Sequence, residues 1–122
     1  MNYEQGSVAF AKSKTFSLRI VKLYKFLCDE KKEYVLSKQL LRAGTSIGAN
    51  LAEARCAVSK KDFLNKAYIS FKECAETLYW LDLLHDADYL TPAQYESIYA
   101  DCNELYKMLS ATTATLRSNM NL

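Results

Sequence analysis

The sequence predicts an all-α protein, an antiparallel up-down-up-down four-helix bundle. Three observations carry that expectation. Only three glycines and one proline punctuate 122 residues, half of them hydrophobic, which leaves too few turn residues for a β-protein. Apolar residues recur every three or four positions in four separate stretches. Two of those stretches open on capping signatures, "SKKD" and "TPAQ".

The length fits one domain that buries roughly two-thirds of the surface its unfolded chain exposes. The expected organisation is a flexible N-terminal segment (1–12), the bundle (13–118) and a flexible C-terminus (119–122). In the first helix Phe16, Ile20, Leu23 and Leu27 share a face, with Lys14, Lys22 and Lys25 roughly opposite. The charged run "CDEKKEY" follows as a polar connection. A second helix carries Leu40, Gly44, Ile47, Leu51, Ala54 and Val58 as its core stripe. Ser59 and Asp62 then cap a third helix, with core stripe Leu64, Ala67, Phe71, Cys74, Leu78 and Leu81, running to about Asp86. Thr91, Pro92 and Gln94 open the fourth, whose stripe is Tyr95, Ile98, Cys102, Leu105, Leu109, Thr112 and Leu116. Short connections make neighbouring helices antiparallel.

The stretch "RAGTSIGANLAEA" places Gly44 and Gly48 inside the second helix, where each costs about 1 kcal/mol relative to alanine. A phosphate loop, a break between helices and a surface for close helix approach are the competing explanations. A phosphate loop needs four residues between its glycines and a Lys-Ser/Thr after the second. Neither is present. Close approach is therefore the preferred reading, with Leu41, Gly48 and Ala52 on the flank of the stripe as an oligomer contact. Arg42, Ser46, Asn50 and Glu53 form a polar strip expected to fix bundle or subunit register. On the third helix Ile69, Trp80 and Leu83 fall off the expected stripe, interleaved with Glu73 and Glu76, as a second contact surface with a polar rim. Asp82 falls near the stripe's centre and requires a partner, Arg42 or Arg19.

Net charge is only +2, but its distribution is uneven. Residues 1–61 hold 12 Lys/Arg against 5 Asp/Glu, giving +7, and residues 62–122 hold 4 against 9, giving −5. Such a split suits attraction of a polyanion to one side, or head-to-tail contact between copies. Lys14, Lys22, Lys25, Arg55, Lys60 and Lys61 are the candidate nucleic-acid contacts. Most tyrosines fall beside core stripes and read as packing groups rather than base-stacking platforms. The four cysteines are widely spaced, without a C-x-x-C pair, and His85 is the sole histidine, so buried free thiols are expected and no metal or cofactor. No nucleophile–base pair or carboxylate dyad emerges, which argues against an enzyme. No apolar run reaches the roughly 18 residues of a membrane span, and no apolar signal core precedes the bundle, so a cytoplasmic protein is expected.

Residues Glu33–Leu84 resemble the four-helix-bundle family first noted in intervening sequences of bacterial 23S rRNA genes. The carriers are Gln39, Arg42, Ala43, Ser46, Ile47, Asn50, Ala52 and Glu53, then Ser59, Phe63, Glu73, Glu76 and Leu81. The chain is similar also to the accessory variability proteins of diversity-generating retroelements. The resemblance implies a ring-shaped homopentamer, and a basic surface for RNA or for a nucleic-acid-processing protein such as a reverse transcriptase. Two functions follow as expectations: an oligomeric RNA or ribonucleoprotein adaptor, or a protein scaffold that touches no nucleic acid.

Overall fold

The structure is a computed structural model that describes residues 3–120, with side chains from residue 8 onward. It consists of four helices, α1 (Tyr3–Asp29), α2 (Leu36–Ala54), α3 (Lys60–Asp86) and α4 (Pro92–Asn119), and contains no strand among the described residues. α1 begins at Tyr3, not near residue 13. Ala9 and Ser13, 3% and 0% exposed, continue the Phe16–Ile20–Leu27 face inward, but are too small or polar to register as hydrophobic periodicity. Residues 3–12, expected to be loose, are therefore helix; residues 1–2 lie outside the described part. At the other end α4 reaches Asn119, Met120 caps it, and residues 121–122 are not described.

Local chemistry explains each boundary. After α1, Lys32 takes a left-handed φ of 54° and the Glu33 amide donates back to the Leu27 carbonyl at 3.0 Å. The Glu33 carboxylate then accepts the amides of Val35, Leu36 and Ser37 at 2.9, 2.8 and 2.7 Å, so an acid outside α2 satisfies its open N-terminus. α2 ends at Ala54, short of the expected Val58, which is 93% exposed. Ser59 accepts from the Asp62 amide at 3.0 Å, while the Asp62 carboxylate reaches past Ser59 to the Val58 amide. α3 closes in a Schellman motif: Asp88 has φ 67°, its amide donates to His85 O, and the Tyr89 amide donates to Leu84 O. Thr91 and Gln94 form a complete capping box at α4, with Pro92 in the first turn.

Packing follows chain order. α1 lies on α2, α2 on α3 and α3 on α4, α1 meets α4 along a thinner seam, and among the described residues the backbones of the diagonal pairs stay more than 8 Å apart at Cα. Phe16, Ile20, Leu27, Leu40, Ile47, Leu81, Leu84, Leu105 and Leu109 fill the centre. The buried face of α3 differs from the expected one. Leu64, Ala67, Ser70, Cys74, Thr77, Leu81 and Leu84 are buried, while Phe71 and Leu78 pack only partly against the core. At 100° per residue this rotates the stripe by about 45° toward α2. Ser70 and Thr77 tolerate burial because their hydroxyls donate to the carbonyls of Ile47 and Glu73, each at 2.8 Å. A smaller shift of the same kind puts Thr113, not Thr112, inside α4, bonded to Leu109 O at 2.8 Å.

Candidate functional site

The two α2 glycines face α1 of the same chain. A Cβ on Gly44 would lie 2.8 and 2.9 Å from Ile20 Cγ1 and Cγ2, and one on Gly48 would lie 3.1 Å from Ser13 Oγ. Close approach is thus the reason for both glycines, but the approaching helix is internal. Gly48, buried against α1, is not an oligomer contact. Of its expected companions, Leu41 packs partly against the core and Ala52 is exposed.

The polar strip of α2 faces the outer edge of α3. Arg42 pairs with both Glu73, at 3.2 Å, and Glu76, and Glu53 pairs with Lys66 at 3.7 Å. Ser46 and Asn50 bond back to the carbonyls of Arg42 and Ser46, at 2.6 and 2.8 Å. Trp80 belongs to the same network, since its indole N–H donates to Glu76 at 3.1 Å, and Tyr79 packs edge-on against its ring at 5.1 Å. The indole therefore does not point away from the bundle; it is half-buried on the flank because the α3 core face is rotated toward α2. Ile69 and Leu83 are half-buried too, and lie on the Glu73–Glu76–Trp80 side of α3 by helical spacing. The polar strip of α2 and the Ile69–Trp80–Leu83 set of α3 therefore share one face, while Gly48 of the small-residue flank lies toward α1.

Asp82 is exposed and accepts the Tyr95 hydroxyl, not Arg42 or Arg19. That hydrogen bond, with some burial, pushes the Tyr95 hydroxyl above its usual range. Arg19 pairs with Asp101 at 2.6 Å and Lys12 with Glu104, both across the α1–α4 seam. Burial alone would raise the Glu33 carboxyl, but the three α2 amides outweigh it and hold the group below its usual value. Neither Glu33's cap nor the Tyr95–Asp82 pair stands out by periodicity; an acid three residues before a helix is the only sequence signal for the first.

The six expected nucleic-acid contacts are all exposed but do not make one patch. Arg55, Lys60 and Lys61 flank the α2–α3 turn, where Arg55 lies over the Phe10 ring at 4.6 Å. Lys22 lies at the opposite end of α1, beside Ala93 and Gln94 of α4, and Lys25 is one turn further along. Lys14 sits between the two ends on α1. Sequence reasoning overlooked Arg117, which the chain reversal brings beside the α2–α3 turn. Its guanidinium sits 5.5 Å from the Tyr68 ring centroid, in a groove shared with Lys61. Lys12, Arg19, Arg42 and Lys66 are paired along the bundle's sides. Arg55, Lys60, Lys61 and Arg117 have no acidic partner among the described residues.

The thiols divide. Cys74 and Cys102 are buried with sulfurs 3.8 Å apart, and their mutual hydrogen bonding and burial push the Cys102 thiol far up, which keeps it protonated. Cys28 is half-buried and Cys56 exposed, so burial holds for two of the four. Among the described residues no group of three His, Cys, Asp or Glu side chains is placed to hold a metal ion. Among the described residues no helix is long and apolar enough to cross a membrane.

The model of the family described as 23S rRNA-intervening sequence protein matches residues 6–111. The chain belongs to that family. A solved structure from Bacteroides thetaiotaomicron, described as a protein with unknown function from the S23 ribosomal protein family, shares 52% identity with this family member. Its TM-score is 0.88, and the match covers 90% of this chain and 98% of that one. No match is found among curated proteins. The family match takes in α2 and α3 entirely, so the Arg42–Glu73–Glu76 network and the α2–α3 turn both lie within it.

Proposed function

We propose that this family member is a non-enzymatic, homo-oligomeric RNA-binding adaptor whose RNA surface is the bundle end carrying the α2–α3 turn. The observation that supports it is the convergence of cations at that end. Arg55, Lys60, Lys61 and Arg117 are brought together there from α2, α3 and α4 without an acidic partner among the described residues, whereas Lys12, Arg19, Arg42 and Lys66 on the sides are paired with Glu or Asp of neighbouring helices. The family's description, tied to 23S rRNA, supports RNA as that anion. The likeness to accessory variability proteins extends the reading to a nucleic-acid-processing enzyme as a co-partner.

Fluorescence anisotropy with labelled single-stranded RNA tests it. Four phosphate contacts on a single strand give a log–log salt slope near −3, so affinity falls roughly 50-fold between about 50 and 200 mM salt. Charge reversal of Arg55, Lys60 and Lys61 together should flatten that slope and weaken binding. A protein that binds no RNA at low salt, yet retains a partner from nuclease-treated lysate, is the scaffold instead. Tyr34 and Val35, 51% and 72% exposed at the opposite end, favour that second reading.

A further inference from the structure

We infer that the groove between the start of α3 and the end of α4 seats one unstacked nucleotide of single-stranded RNA, with its base on the Tyr68 ring and its phosphates on Lys61 and Arg117. The inference rests on the RNA-binding reading and adds to it a site, a strand type and an aromatic residue.

The groove has a volume of about 710 Å³, within the range of pockets that take small ligands. Leu64, 7% exposed, lies at its base, and Lys61, Asn65, Tyr68 and Arg117 line it. Tyr68 is fixed by packing rather than free to swing. Its ring lies 5.9 Å from Phe71, which lies 5.0 Å from Tyr106, so an aromatic row running from α3 to α4 backs it. Tyr68 remains 37% exposed, and the Arg117 guanidinium lies 5.5 Å from its ring centroid, within cation–π range. Tyr34 and Tyr79 are more exposed, but neither has a cation over its ring. Aromatic rings and guanidinium planes are the two side-chain surfaces on which unstacked bases are held. Tyr68 supplies the aromatic surface, and Arg117 and Lys61 on the same groove supply cations for phosphate. Asn65 adds an exposed amide that donates and accepts, which suits a base edge. The carboxylate in the lining, Asp62, is engaged by the Val58 amide at 3.3 Å. A concave site of this size admits a splayed-out base. The paired, stacked bases of a duplex cannot enter it.

The test uses the full chain, a labelled oligouridine of about ten nucleotides and an RNA duplex of the same length. Tyr68→Leu should weaken oligouridine binding about tenfold or more and leave the salt slope unchanged, because no charge is lost. Tyr68→Phe should bind as the native protein does, and neither variant should alter duplex binding. Arg117→Ala should both weaken oligouridine binding and reduce the slope by about one contact. Circular dichroism checks the fold of each variant. Independently of any substitution, photo-crosslinking the native protein to 4-thiouridine oligomers should place the adduct on Tyr68. Salt-dependent binding that is indifferent to Tyr68→Leu, or crosslinks that fall elsewhere, overturns the groove while the RNA reading stands. Failure of the native protein to bind oligouridine at low salt overturns both.

Discussion

Gly44 and Gly48 differ in what lies in front of them. Alanine at either position gains about 1 kcal/mol of helix propensity, so the neighbour decides the sign. At Gly44 the obstacle is the branch point of Ile20, fully buried and unable to swing aside. Gly44→Ala should therefore lose about 1–3 kcal/mol of stability, seen as a lower urea midpoint. At Gly48 the obstacle is the Ser13 hydroxyl, already bonded to Phe10 O at 2.7 Å, which need give only a few tenths of an ångström. Gly48→Ala should stay within about 1 kcal/mol of the native protein in the same melt. The spacing of two glycines announced a close approach. It could not announce which helix approaches, since Ser13 and Ser17 on α1 carry no hydrophobic signal to mark a contacting face.

At the scale of the element, helix starts were legible and helix faces less so. Ser59, Thr91 and Pro92 mark the first turns of α3 and α4 where expected. α2 is the exception, because its capping group comes from Glu33, inside a run that reads only as a charged linker. Glu33's folded-state pKa lies below its unfolded value. Its contribution is therefore fully present above the ordinary carboxylate range and lost as pH falls through the lowered folded value. Glu33→Gln should cost about 1.5–3 kcal/mol near neutral pH, the scale of hydrogen bonds to a charged group. In urea titrations across acid pH the gap to the native protein should narrow as pH falls below about 4.5. The α3 face was misread for a related reason. Counting only apolar residues omits Ser70 and Thr77, whose hydroxyls are satisfied by backbone carbonyls, and that omission turned Trp80 outward and Asp82 inward.

For the whole molecule, the four-helix order was legible because each connection is short and each helix amphipathic. The proposed RNA surface was legible only in part, because Arg55, Lys60 and Lys61 are close in sequence whereas Arg117 joins them through the return of α4. Assembly belongs to this scale. The face carrying Ile69, Trp80 and Leu83, ringed by the ion pairs of Arg42, is the proposed contact between copies. Light scattering should give the native protein a mass several times its 13.9 kDa chain, five times if the ring implied by the resemblance forms. Ile69→Lys with Leu83→Lys should return it to the single-chain mass, and a native protein already at that mass removes the proposal. The thin α1–α4 seam has a consequence for how the chain acquires its shape. All the extensive packing joins helices adjacent in sequence, so contact order is low and folding is expected within microseconds to milliseconds. Three hairpins can form from local encounters, each with a short loop to close. The α1–α4 contact closes the longest loop with the least packing, which makes it the last step of folding and the first place where the native protein opens.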